Sequence, residues 1–240
     1  MSNAPEIIPT VTSRNVHDVP LYASRFATVA YTIQIDIQDG LFVPNLTFSA
    51  KDLLTLLRGL SNDQLDVYHK VIFDFHLMLT DYDDALQALA ELSTLISIRH
   101  IFAHLNFPAP PDIIERWTSQ IKNASICPTV NPDDPPIKDI IFAGAPAHTY
   151  PAIQIMTIHP GPQGQVFIPE QLERVKKLRD ARYGGKIFLD GGINPASMPL
   201  VHTVSTHYPI SAVCVGSYFS RAPNDEIAHR LHTLQTTKND

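Results

Sequence analysis

Residues 34–48 read QIDIQDGLFVPNLTF, a strand running into an Asp-Gly turn. Its strand, Thr32–Gln38, places Ile33, Ile35 and Ile37 on one face and Gln34, Asp36 and Gln38 on the other. Asp39-Gly40 then breaks the strand. Polar side chains projecting from one face of a buried strand are costly unless they meet a ligand, a metal or water. The face carrying Asp36 is therefore the first candidate for an active site.

Working outward, similar β-branched runs recur at 6–11, 32–38, 70–78, 100–105, 124–130, 152–158, 186–190 and 212–216. Between them lie helical spacings at 51–60, 83–95, 169–182 and 224–234. Eight strands alternating with helices predict a parallel sheet, and eight is the number that closes a (β/α)8 barrel. No linker or low-complexity tract interrupts the pattern, so residues 1–240 are expected to form one α/β domain. An open doubly wound sheet is the competing architecture.

The bulk numbers narrow the function classes. Hydrophobic residues make up 44% of the chain and charged residues 18%, enough apolar material for a sizeable core. A net charge of −6, with Lys176-Lys177 as the densest basic cluster, argues against nucleic-acid partners. Cys127 and Cys214 each sit in an apolar run and are expected to be buried, reduced thiols. Charges at Glu6, Arg14, Asp18 and Arg25 leave no signal peptide, and no apolar run reaches the roughly 18 residues of a membrane span. The expectation is a soluble cytoplasmic protein with no membrane partner.

In a barrel, chemistry belongs at the carboxyl ends of the strands. Six of the ten glycines, Gly40, Gly161, Gly164, Gly191, Gly192 and Gly216, fall in the loops there. Gly164, Gly191-Gly192 and Gly216-Ser217 have the makings of a phosphate cradle, because backbone N–H groups reach an anion only where no Cβ intrudes. Asp36 and Asp190 end the second and seventh strands, so their carboxylates could flank a ligand. Inverting a carbon stereocentre by proton transfer needs one group on each face. His76, ending the third strand, could complete a metal site with them. Read singly, the glycines could be ordinary turns, the aspartates structural, and His76 a satisfied core residue.

In order, the chain shows IIPTVTS, IDIQDGLFVPNLTF, FDFHLML, ICPTVNPDDP, IMTIHPGPQGQVF, IFLDGGIN and VCVGSYF. These segments resemble the ribulose-phosphate 3-epimerases over almost the whole length, with DGLFVPNLTF and MTIHPGPQGQVF the most specific. The resemblance implies a TIM barrel of the ribulose-phosphate-binding type, often a homo-oligomer. It implies abstraction of the C3 proton of a phosphorylated ketose, D-ribulose 5-phosphate giving D-xylulose 5-phosphate. The catalytic pair then corresponds to Asp36 and Asp190. A divalent metal (zinc, or iron, manganese or cobalt) would sit on Asp36, His76 and Asp190, with Gln34 in the fourth position. Substrate contacts correspond to Thr10, Met78, Met156, Gly164, Gln165, Gly191, Gly192, Gly216 and Ser217.

The departures cluster near the metal. Gln34 stands where the family has its first metal-ligand histidine, a neutral and weak ligand that leaves the metal weak or absent. Gln38 replaces a methionine, Asn106 a carboxylate and Asn131 a lysine. Thr10 replaces a serine and keeps its hydroxyl. The lid, Pro-Gly-Phe-Gly-Gly-Gln in the family, reads Pro160-Gly161-Pro162-Gln163-Gly164-Gln165. Three readings follow: an epimerase, a sugar-phosphate-binding barrel with lost or altered catalysis, and a metal-independent isomerase of a different phosphorylated substrate.

Overall fold

In the computed structural model, residues 4–27, 29–105 and 111–237 are described. Eight parallel strands close into a barrel: β1 (Glu6–Val11), β2 (Thr32–Gln38), β3 (Ile72–Met78), β4 (Ser97–His104), β5 (Ser125–Val130), β6 (Ala152–Met156), β7 (Lys186–Asp190) and β8 (Ala212–Val215). They follow one another round the ring in chain order, and β8 returns to pair with β1. The (β/α)8 expectation is met, and the open sheet is not what forms.

Closure buries both faces of every strand, which is why β2 is buried along its full length despite its alternating polarity. Its isoleucine face joins a large apolar belt that includes Leu53 and Leu57 of the helix Ala50–Arg58 and Leu89 of the helix Asp83–Leu92. Ser49 caps the first of these with a capping box to Asp52. Inside the barrel a second, smaller cluster holds Ile8, Phe102, Cys127, Ala152, Phe188, Ala212 and Cys214. Two phenylalanines, ring centroids 4.9 Å apart, fill the bore because their neighbours there are alanine and cysteine. Both cysteines are free and buried, as expected. Among the described residues no helix is long and apolar enough to cross a membrane.

Five strands differ from the sequence reading by one to three residues at an end, and for two of them the structure shows the cause. β6 stops at Met156 rather than Ile158, because Thr157 turns its hydroxyl back to the carbonyls of Asp190 and Gly191. β4 begins at Ser97 rather than His100, and its register with β3 shifts between Phe73 and Phe75. That bulge sets both Arg99 and His100 against one buried carboxylate, Asp74. Arg99 donates through Nε and Nη2 at 3.1 and 2.6 Å, and the His100 backbone N–H donates at 3.0 Å. Burial alone would push the Asp74 carboxyl up, but the bonds from His100 and Arg99 outweigh it and hold it below the usual carboxylate range.

A group with a depressed folded-state pKa stabilises fully above its unfolded pKa. The contribution is lost as pH falls through the lower folded value. Asp74→Asn should therefore cost about 2–4 kcal/mol near neutrality, reduced from the usual figure for a broken buried pair because water reaches Arg99. Urea unfolding at several pH values should show that cost vanishing in acid, and a cost independent of pH would refute the ion-pair account.

Candidate active site

Strand periodicity carries the site. Register places Asp36 of β2 beside His76 of β3, and Asp190 of β7 beside Met156 of β6. All four project into the same end of the barrel, where ligand atoms of Asp36, His76 and Asp190 lie within 4.8 Å of one another. The two carboxylates thus converge even though β2 and β7 are not neighbours in the ring.

Three of the four carboxylate oxygens accept from side-chain donors. Thr12 donates its hydroxyl to Asp36 Oδ2 at 2.7 Å. The Gln34 amide nitrogen donates to Asp36 Oδ1 at 3.1 Å and to Asp190 Oδ2 at 2.8 Å. Gln154 adds a further donor to Asp190 Oδ2 at 2.9 Å. Burial, opposed by the His76 contact and reinforced by the charge of Asp190, holds the Asp36 carboxyl above its ordinary range. Asp36 is accordingly a carboxyl that readily holds a proton.

His76 is buried between these groups. Its Nδ1 stands 3.1 Å from Asp190 Oδ2 and 3.5 Å from Asp36 Oδ1, yet forms an aligned hydrogen bond with neither. Burial works against protonation, but Asp190 and Asp36 outweigh it and raise the imidazole to about 9. Its Nε2 lies 2.9 Å from Nε2 of His104. Burial and then the charge of His76 keep His104 well below the usual range, so His104 is neutral and accepts from the His76 Nε2–H. That bond directs the Nδ1 of His76 toward the carboxylates.

Two carboxylates and a buried imidazole nitrogen lacking a hydrogen bond are a fitting donor set for a divalent cation. Gln34, the expected fourth ligand, turns its amide nitrogen to the carboxylates. Its oxygen accepts from the Cys214 thiol at 3.1 Å. Burial, then the nearby carboxylates, push that thiol well above its ordinary range, so it stays protonated and can donate. This pairing assigns the Gln34 amide orientation.

Above the carboxylates lies a cavity lined by Thr10, Met78, Met156, Gly164, Gly191, Gly192, Gly216 and Ser217, all singled out from sequence. The Thr10 hydroxyl there is buried and has no partner among the described residues. Gln38 and Gln154 rest their amides against the sulfurs of Met78 and Met156, at 3.3 and 3.9 Å. Gly192, at φ +67°, passes so close to Phe167 that a Cβ would stand 2.7 Å from its backbone. Gln165 lies outside the lining and braces the lid by donating to the His159 and Pro162 carbonyls. Asn106 falls outside the described residues.

Sequence reading missed Thr12, His104, Gln154, Gln163 and Cys214 as members of this network. Gln154 and Cys214 carried a usable signal: each faces inward by strand alternation. Asp39, by contrast, is structural. It accepts from the N–H groups of Leu41, Phe42 and Thr80, shaping the turn after β2.

Residues 6–215 match the ribulose-phosphate 3 epimerase family. The chain belongs to that family. It is 26% identical over 230 residues to a ribulose-phosphate 3-epimerase, cytoplasmic isoform, of Oryza sativa subsp. japonica, covering 95% of this chain and 93% of that one. It is 31% identical to the ribulose-phosphate 3-epimerase of Bacillus subtilis, covering 70% and 72%. Among solved structures, the tryptophan synthase alpha subunit of Campylobacter jejuni superposes with TM-score 0.59 at 15% identity, covering 98% and 96%, which is a likeness of fold alone.

Gln34 stands beside the three side chains that could hold a metal ion. Gln34→His would replace an amide by an imidazole beside three fitting donors. Zinc or manganese affinity, titrated calorimetrically on metal-free protein, should rise about ten-fold or more. An unchanged affinity would mean that the histidine cannot reach the cation.

Proposed function

We propose that this protein is an epimerase of phosphorylated ketoses that inverts C3 of a pentulose 5-phosphate, interconverting D-ribulose 5-phosphate and D-xylulose 5-phosphate. The observation that carries the reading is the convergence of the Asp36 and Asp190 carboxylates on one cavity walled by Gly191, Gly192, Gly216 and Ser217.

In this reading the glycine loops hold the phosphate, because their backbone can approach an anion closely. Met78 and Met156 give the reacting end of the sugar an apolar wall that keeps water off C3. One aspartate takes the C3 proton, leaving an enediolate across C2 and C3, and the other delivers a proton to the opposite face of C3. The pair therefore begins with one proton between them and ends with one, the carriers exchanged. Asp36, with its raised affinity for a proton, begins as the acid in one direction and the base in the other. Gln34 and Gln154 hold Asp190 in place by hydrogen bonds that survive either protonation state. Asp36, His76 and Asp190 would hold a divalent cation, zinc before iron, manganese or cobalt, whose chemistry there is Lewis-acid polarisation of the substrate oxygens.

One observation favours a second reading, a metal-independent isomerase. The Gln34 NH2 group already bridges the two carboxylates and meets part of the need that a cation would meet. The same experiment separates the readings. Purified protein in D2O should exchange the C3 hydrogen of D-ribulose 5-phosphate, and Asp36→Asn and Asp190→Asn should each slow exchange by about 10²–10⁴-fold. No exchange after supplementation with zinc, manganese, iron or cobalt would reject the epimerase. Full exchange after exhaustive chelation would select the second reading.

A further inference from the structure

The lid carries a residue that neither the proton transfer nor the phosphate cradle uses. Gln163 sits where the resembling lids have glycine, and its side chain does not point to solvent. Its amide nitrogen donates to the Thr12 hydroxyl at 2.7 Å, the same hydroxyl that donates to Asp36 Oδ2 at 2.7 Å. Its amide oxygen accepts a longer bond from Ser220 at 3.4 Å. The amide lies so close over Gly216 that a Cβ built there would stand 2.3 Å from Nε2 and 2.7 Å from Cδ. It fills the notch that the missing side chain of Gly216 leaves open.

That notch lies on the cradle side of the cavity, and Thr12 lies on the Asp36 side. The Gln163 side chain thus links the Gly216 notch to the hydroxyl that holds Asp36, along the wall of the cavity. With Gln163 in place the free volume of the cavity is about 40 Å³. A few waters fit in that space. A sugar phosphate does not, since small-molecule sites begin at roughly 300 Å³.

We propose that Gln163 is an internal latch: its amide occupies the anion notch beside Gly216 and ties the lid to Thr12 until a phosphorylated ligand displaces it. The proposal rests on the phosphate-cradle part of the function proposed above. Every ligand then competes with a hydrogen-bonded side chain held at high effective concentration, so affinity is lowered by the population of the latched state. Displacement also frees the Thr12 hydroxyl from its donor, so the carboxylate it holds senses an occupied cradle.

The test is calorimetric titration of inorganic phosphate into the full chain, wild type against Gln163→Ala and Gln163→Asn. The asparagine keeps the amide but is one methylene too short to span from the lid to Thr12. Loss of one neutral hydrogen bond to the latched state should tighten phosphate binding about five-fold in both variants. Thermal unfolding establishes that each is folded, and the Gln163→Asn variant carries the test if the alanine variant is not. Phosphate bound equally or more weakly by the variants overturns the latch, and so does an asparagine variant with wild-type affinity. Phosphate bound by none of the three removes the cradle and the latch together. The C3 exchange experiment judges the epimerase separately.

Discussion

Two carboxylates held close together inside a protein are the constraint around which this barrel is organised. Asp36 and Asp190 are both buried, and their charges repel across a medium far less polar than water. An unanswered pair would cost several kcal/mol in the effective interior. Thr12, Gln34, Gln154 and His76 answer it, each from a different strand or strand end. A cation bound there would answer the same repulsion more strongly.

The interior of the barrel keeps this charge separate from a second buried ion pair. Asp74, Arg99 and His100 lie toward the amino ends of their strands, while Asp36, His76 and Asp190 lie toward the carboxyl ends. Between them Phe102 and Phe188 fill the bore, with Cys127, Ala152, Ala212 and Cys214 making room. Asp74 and Arg99 therefore satisfy one another and take no part in the upper site. Cys214 belongs to both levels: its β-carbon packs in the apolar plug, and its thiol hydrogen fixes the Gln34 amide. A structural residue of the plug thereby decides which way a residue of the site faces.

Much of this was legible in the chain. β1, β2 and β7 run over the expected residues, because apolar runs bounded by Gly, Pro and Asp leave little freedom in their ends. The start of β4 was not legible, since the bulge opposite Asp74 arises from pairing with β3 and leaves no local mark. The helix Asp18–Phe26 escaped for a related reason: it buries only Val19, Ala23 and Phe26, too sparse a stripe to stand out. At the site, Asp36, His76 and Asp190 stood out because charged groups ending apolar strands are conspicuous. Thr12, Gln154 and Gln163 did not, because neutral polar side chains are common everywhere.

The sequence by itself determined the barrel, the inward face of β2 and the glycine loops at the strand ends, since periodicity and backbone sterics are local properties that a list of residues carries. Only the tertiary structure decided that the carboxylates of β2 and β7 meet, that Gln34 offers them nitrogen rather than oxygen, and that Gln163 reaches Thr12. Those outcomes depend on contacts between residues 151 to 180 positions apart in the chain. Hydrogen-bond directions across a closed ring are set only when the last strand pairs with the first.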